Sequence, residues 1–145
     1  MKVLELYSGN KWGESVFKEY GIKATSVRME MFDYSLFPRD VFDMVFININ
    51  GNCLGLYDDI DVGDMELGLD LIEYYNPKHW LILNGNKKVM DDIMMWGLPY
   101  RDIKLMRGGK LQGKRVWTNM HKWNPGSDNI YIKETYILLE LLNKL

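Results

Sequence analysis

Tyr7-Ser8-Gly9 is the first stretch of this chain whose residue types could serve chemistry. It joins an apolar run to a segment with helical spacing. A glycine turn between a strand and a helix is typical of nucleotide-type cofactor sites, because a residue without Cβ lets the backbone approach the cofactor. Lys11 and Trp12 follow, where such a turn usually stays small. We therefore predict a vestigial cofactor site at Tyr7, Ser8 and Gly9.

Cys53 is the only cysteine among the 145 residues. A cysteine thiolate is a nucleophile when its pKa is lowered, but a lone cysteine more often packs as a small hydrophobic residue. A single cysteine excludes a disulfide framework and a Cys-based metal cluster, and it is typical of a reducing compartment. Because the chain also has no signal-like or membrane-length apolar run, we predict a cytoplasmic protein with no membrane partner.

A basic segment near the C-terminal third could contact nucleic acid. Its candidate residues are Arg107, Lys110, Lys114, Arg115 and Trp117. Basic side chains interleaved with aromatic ones are typical of nucleic-acid contacts, because the cations displace counterions from phosphates. The alternative is a solvated hairpin with a buried Trp117, and the pattern does not separate the two.

An acidic segment balances this charge, and the chain has a net charge of -2. Residues 57–73 contain no Lys or Arg and carry Asp58, Asp59, Asp61, Asp64, Glu66, Asp70 and Glu73. Their spacing lacks the ligand pattern of an EF-hand, so we predict no metal site. Carboxylates are favoured at the positive end of a helix dipole, which explains the segment as a solvated helix start.

The elements that must position these residues alternate between strands and helices. Apolar runs predict strands over residues 2–7, 24–29, 42–49 and 79–83. Helical spacing predicts helices that end at Gly21, over residues 62–75, over residues 87–96 and at the C-terminus. Two further strands, 100–106 and 114–118, flank a glycine-rich turn and predict a hairpin. We predict one α/β domain over residues 1–145, with a mostly parallel sheet, helices on both faces and a C-terminal antiparallel hairpin.

The order of several short segments resembles the DNA cytosine-5 methyltransferases, particularly the short versions carried by phages and viruses. The matching segments are LELYSG (4–9), FDMVF (42–46), IEYYNPKHWLILN (72–84), GLPY (97–100) and KRVWTN (114–119). The resemblance implies a Rossmann-like fold, S-adenosylmethionine as methyl donor, and duplex DNA with a flipped cytosine as substrate. It also implies that this chain lacks the family's target-recognition domain.

The chain departs from the family at each position that the chemistry needs. The family's P-P-C loop supplies the nucleophile, whereas NINGNC stands here and displaces Cys53. Leu83 occupies the place of the family's E-N-P glutamate, and a leucine cannot donate or accept a proton. Lys11 replaces the second glycine of the turn, and Arg28 falls where an acid should hold the ribose, although Glu30 is close.

These departures predict a degenerate, catalytically inactive protein that acts by binding DNA or a partner protein, with no cofactor expected. Two other functions stay open. The first is a divergent active methyltransferase that uses Cys53 and S-adenosylmethionine, and the second is an interaction module without nucleic acid. Lys11 and Arg28 also suggest an anion site in place of the cofactor site.

Overall fold

The computed structural model describes residues 1–8, 11–49, 59–84, 100–125 and 129–145; for residues 59–65, 84, 100 and 107 the description covers the backbone. Seven strands form the sheet: β1 (Val3–Ser8), β2 (Ala24–Arg28), β3 (Met44–Ile49), β4 (His79–Asn84), β5 (Tyr100–Arg107), β6 (Lys110–Thr118) and β7 (Ile130–Tyr131). Three helices accompany them: α1 (Gly13–Glu19), α2 (Asp59–Tyr75) and α3 (Glu134–Leu142). Two short 3-10 helices, Met29–Met31 and Tyr34–Leu36, lie between β2 and β3.

The strands form one sheet in the order β2-β1-β3-β4-β6-β5-β7. All neighbouring pairs are parallel except those of β6, which runs antiparallel to both β4 and β5. Because successive parallel strands end at the same edge, β1, β2, β3 and β4 share one carboxyl edge, where ligands of such sheets usually bind. The predicted α/β class, the mostly parallel sheet and the C-terminal antiparallel hairpin are confirmed.

Helices cover both faces of the sheet, as predicted. On one face α1 and α3 pack over a core that contains Phe17, Phe46 and Leu138. On the other face α2 packs over a core that contains Ile47, Leu71 and Trp117. The six residues of β3 are all buried, which explains why its residues are apolar except for Asn48 and do not alternate between apolar and polar.

Helix α2 lies unusually close to the sheet at Gly68. A Cβ at Gly68 would be 3.1 Å from Cγ2 of Ile47, so only a glycine allows this approach without a shift. Among the described side chains of α2, Leu71 and Tyr75, which follow Gly68, are fully buried, while Leu69 and Ile72 are half-buried. Asn76 ends the helix in the left-handed conformation and donates its N–H to Ile72.

The structure changes several predicted boundaries. The two-residue strand β7 has no counterpart in the prediction, because two residues show no periodicity. Helix α2 begins three residues earlier than predicted, at Asp59. The predicted helix over residues 87–96 lies outside the described residues. Among the described residues, no helix is long and apolar enough to cross a membrane.

Candidate functional site at the carboxyl edge of the sheet

The predicted cofactor turn begins at the carboxyl end of β1. Tyr7 and Ser8 are the last residues of β1 and are half-buried, while Gly9 lies outside the described residues. Tyr7 is paired in register with Arg28 of β2 on one side and with Asn48 of β3 on the other. The ends of these three strands therefore form the part of the edge where a dinucleotide-type cofactor would place its ribose.

Arg28 changes the chemistry of that edge. Its guanidinium lies over the ring of Tyr7, 5.3 Å from the centroid, and 3.6 Å from the carboxylate of Glu30. A cofactor ribose is normally held by a carboxylate at the end of the second strand, because its hydroxyls donate hydrogen bonds. Arg28 cannot accept a hydrogen bond, whereas the exposed carboxylate of Glu30, two residues later, can. The residue that ends β2 therefore does not fit the ribose of S-adenosylmethionine.

The expected anion site is not favoured by the local charges. Lys11 forms an ion pair of 2.9 Å with Glu14 in the first turn of α1, and Arg28 pairs with Glu30. Each cation therefore has a carboxylate beside it, so the net charge of the two pairs is zero. An anion arriving at this edge would meet little positive potential from either pair.

A buried carboxylate that the sequence analysis missed fixes the start of α1. Glu5 is fully buried in β1 and accepts hydrogen bonds from the backbone N–H groups of Gly13, at 2.8 Å, and Glu14, at 3.2 Å. The hydroxyl of Ser26 donates at 2.8 Å, and Asn48 also hydrogen-bonds to this carboxylate. Glu5 thereby caps the helix in place of an N-cap side chain, since Trp12 at that position makes no capping bond.

The signal for this cap is present in the sequence. A lone glutamate in the apolar run Val3 to Leu6 must find donors if the strand is buried on both faces, because a buried carboxylate without partners is strongly destabilising. The carboxylate of Glu5 is fully engaged with the scaffold. It therefore does not supply the acid that is missing at Leu83.

Replacing Glu5 by glutamine is expected to lower the free energy of unfolding by about 1–3 kcal/mol at neutral pH, because an amide cannot accept from both backbone N–H groups. Burial raises the pKa of Glu5, against the lowering effect of its hydrogen bonds. A raised carboxyl pKa gives stability that is complete below the unfolded pKa of about 4.3 and is lost as pH rises through the folded pKa. The advantage of wild type over Glu5→Gln should thus be largest in acid. Urea unfolding of both proteins across the acid-to-neutral range measures it.

The exposed Glu14 supplies a control of opposite sign. Its ion pair with Lys11 lowers the pKa of Glu14, so its contribution is present above its ordinary pKa and disappears as pH falls. The Glu14→Gln variant should therefore differ from wild type more at neutral pH than in acid. If the difference in stability between wild type and Glu5→Gln is likewise larger at neutral pH than in acid, the pKa of Glu5 is not raised.

Leu83, the residue that the resemblance aligns with the family's catalytic acid, lies inside the core. Leu83 is 1% exposed, pairs in register with Asn48 and Val116, and packs on the face that carries α1 and α3. No proton donor is therefore present at this position of β4. Cys53, the candidate nucleophile, lies outside the described residues. In the described part of the chain, no group of three His, Cys, Asp or Glu side chains is arranged to hold a metal ion.

The structure corrects the prediction of an exposed basic segment. Lys114 and Arg115 are 2% and 5% exposed, and Trp117 is buried in the core beneath α2. Lys114 Nζ lies 3.1 Å from the carboxylate of Glu134, and Arg115 makes two bonds of 2.7 and 3.1 Å to Asp102. The basic side chains are buried because each faces an acid from a neighbouring element.

The other two basic candidates lie at the hairpin tip. Lys110 is exposed, and Arg107 ends β5, with its side chain outside the described residues. Gly108 and Gly109, both with positive φ, form the two-residue turn between them. DNA binding by this segment stays a prediction, and among the described side chains of the five candidates it depends on Lys110.

Trp12 lies on the face of the sheet that carries α1. Its ring meets Phe46 edge-on, with 5.3 Å between the centroids. It also lines a cavity of about 250 Å³ together with Leu105, Met106 and Ile132. This volume is below the range of about 300–1,000 Å³ that is usual for small-molecule sites.

Comparison with solved structures identifies the fold. The chain is similar to a protein described as a DNA modification methyltransferase encoded within an E. coli prophage, with a TM-score of 0.52 and 15% identity over 81% of this chain and 46% of that chain. It is also similar to the N-terminal domain of human METTL16 in complex with SAH, with a TM-score of 0.41 and 8% identity over 80% of this chain and 60% of that chain. No protein-family model and no curated protein matches the sequence.

The similarity to the prophage protein establishes a methyltransferase fold for this chain. The chain spans less than half the length of that protein. The sheet and the helices on its two faces therefore have the arrangement of the Rossmann-like methyltransferase fold, while the carboxyl edge of the sheet carries Arg28 and the strand β4 carries Leu83.

Proposed function

We propose that this chain is a methyltransferase-fold protein that acts by binding a partner macromolecule and not by methyl transfer. The observation that carries the proposal is the guanidinium of Arg28 over Tyr7 at the ends of β1 and β2. It puts a hydrogen-bond donor where the ribose of S-adenosylmethionine needs an acceptor. Leu83, buried in β4, supports the same conclusion, because general acid catalysis on a pyrimidine needs an ionisable group.

Titration calorimetry with S-adenosylmethionine tests the proposal. We expect no heat of binding at sub-millimolar cofactor, because the residue that ends β2 is Arg28, which cannot accept a hydrogen bond from the ribose. An active DNA methyltransferase titrated under the same conditions is the control that the cofactor is intact. Micromolar binding would overturn the proposal.

The alternative, an active enzyme, predicts a different experimental result. Labelled methyl groups should then pass from S-adenosylmethionine to duplex DNA, and Cys53→Ser should abolish the transfer, since the thiolate forms the covalent intermediate. Transfer that persists in Cys53→Ser would indicate a contaminating enzyme. Absence of transfer in both proteins supports the binding function.

Two classes of partner are compatible with this function. DNA is supported by Lys110, which is exposed at the tip of the β5–β6 hairpin. A protein partner is supported by the burial of Lys114 and Arg115, which removes two cations from the surface. Retardation of a duplex that weakens as salt rises identifies DNA, because phosphate contacts release counterions. A complex of defined stoichiometry that does not dissociate as salt rises identifies a protein partner.

A further inference from the structure

A second cavity lies on the opposite face of the molecule from α1. It has a volume of about 350 Å³ and lies between α2 and the 3-10 helix Tyr34–Leu36. Its lining consists of Tyr34, Arg39, Asp70, Glu73 and Tyr74. This volume falls within the range of ligand-binding pockets, and none of these residues belongs to the carboxyl edge of the sheet.

Two tyrosines form the aromatic wall of this cavity. The rings of Tyr34 and Tyr74 meet edge-on, with centroids 4.7 Å apart. The guanidinium of Arg39 lies over the ring of Tyr74, 4.5 Å from its centroid. The chain itself therefore shows which chemical group this wall accepts, since a planar cation stacks on the negative face of an aromatic ring. Asp40, which follows Arg39, has a positive φ and turns the chain at this point.

The charge of the cavity is negative in spite of Arg39. Asp70 and Glu73 lie one turn apart on α2, so their carboxylates are neighbours. Glu66, which is also exposed, extends the same acidic face by a further turn. Residues 57–73 contain no Lys or Arg, and one guanidinium does not balance two carboxylates. A second cation is therefore attracted to the cavity.

We propose that this cavity binds an arginine side chain from a basic segment of a partner protein. The proposal rests on the proposed function, that the chain acts by binding, and it names the chemistry of the partner. Arginine fits better than lysine because a planar guanidinium can stack on a tyrosine and bond a carboxylate through two N–H groups at once. Nucleic acid does not fit, because Asp70 and Glu73 repel its phosphates.

A titration with short blocked peptides tests the proposal on the full chain. The probes are acetyl-Gly-Arg-Arg-Gly-amide and the same peptide with two lysines, and the readout is the set of backbone amide signals in a nitrogen–proton correlation spectrum. We expect the arginine peptide to shift the signals around Tyr34, Asp70 and Tyr74 and to bind about 3-fold more tightly than the lysine peptide. The variant Glu73→Gln should weaken the arginine peptide by a similar factor.

Arg39 provides the sharper comparison. Because Arg39 occupies the face of Tyr74, Arg39→Gln should free that face and increase the affinity for the arginine peptide by about 3-fold to 10-fold. Arg101→Gln removes the same charge from another stacked arginine, which lies over Trp123 at 5.7 Å on the α1 face. This control should leave the affinity unchanged within about twofold, since a half-buried charge on the opposite face of the sheet contributes little at this distance.

Several outcomes would overturn the proposal: no shift at the cavity, equal binding of both peptides, equal effects of Arg39→Gln and Arg101→Gln, or the same shifts with a DNA duplex. Tyr34→Leu gives a second check, because Tyr34 is exposed and its loss should weaken binding without unfolding the chain. S-adenosylmethionine added to the same sample separates the two proposals. Shifts at the ends of β1 and β2 with micromolar cofactor would refute the binding function, whatever the peptides do.

Discussion

Gly13→Ala is expected to destabilise the protein by about 3 kcal/mol, because it both overpacks the core and disturbs the cap of α1. A Cβ at this position would lie 2.3 Å from Glu5 Oε2 and 2.9 Å from Phe46 Cε1. Neither atom has room to move: the Glu5 carboxylate is held by its donors, and Phe46 packs against the rings of Trp12 and Phe17. Helix α1 must therefore move away from the sheet, and its N–H groups lose their hydrogen bonds to Glu5. Urea unfolding measures the loss.

Gly113→Ala is the matched control. Gly113 lies exposed in β6, and a Cβ there would meet no atom within 4 Å. The same chemical change should leave stability unchanged or raise it by up to about 1 kcal/mol, since alanine has less freedom in the unfolded chain. If the free energy of unfolding of Gly13→Ala is also within about 0.5 kcal/mol of the wild-type value, the hydrogen bonds between Glu5 and the start of α1 are not formed.

The strands at the centre of the sheet could be predicted from the sequence, because burial on both faces favours runs of apolar residues. Strands β1, β3 and β4 consist mostly of apolar residues, and such runs occur where a parallel sheet is covered by helices. The approach of α2 at Gly68 could not be predicted, since it depends on the contact with Ile47. That Leu83 has no ionisable group could be stated without coordinates, because it is a matter of residue type.

Of the two ion pairs that accompany the buried basic side chains, one could be predicted from the sequence and the other could not. The two-residue turn Gly108-Gly109 fixes the register of the hairpin, and that register places Asp102 directly opposite Arg115. Opposite charges at facing positions form cross-strand pairs, so this ion pair follows from the turn. The partner of Lys114 is Glu134, which comes from α3, twenty residues further along the chain. No local pattern connects these two residues, and charge alone wrongly suggested a surface.

Glu134→Leu is expected to lower the free energy of unfolding by about 3–5 kcal/mol, because it removes the carboxylate that faces the buried ammonium of Lys114. The side chains are 2% and 13% exposed, so water cannot replace the lost carboxylate. The double variant Lys114→Met/Glu134→Leu should recover most of this loss, since two apolar groups of similar volume have no charge to desolvate. Urea unfolding of the wild type, both single variants and the double variant gives the coupling energy.

An exposed ion pair of nearly the same length supplies the control for burial. Lys11 and Glu14 lie 2.9 Å apart with about half of each side chain in solvent, so at neutral pH Glu14→Gln should destabilise the protein much less than Glu134→Leu does. A similarly small effect of Glu134→Leu would show that water reaches Lys114, and the exposed basic surface of the sequence prediction would be restored. If the double variant is stable and retards a DNA duplex as well as wild type does, Lys114 supports the hairpin without contacting DNA. A single Lys114 variant could not separate these roles, because it would lose binding by unfolding.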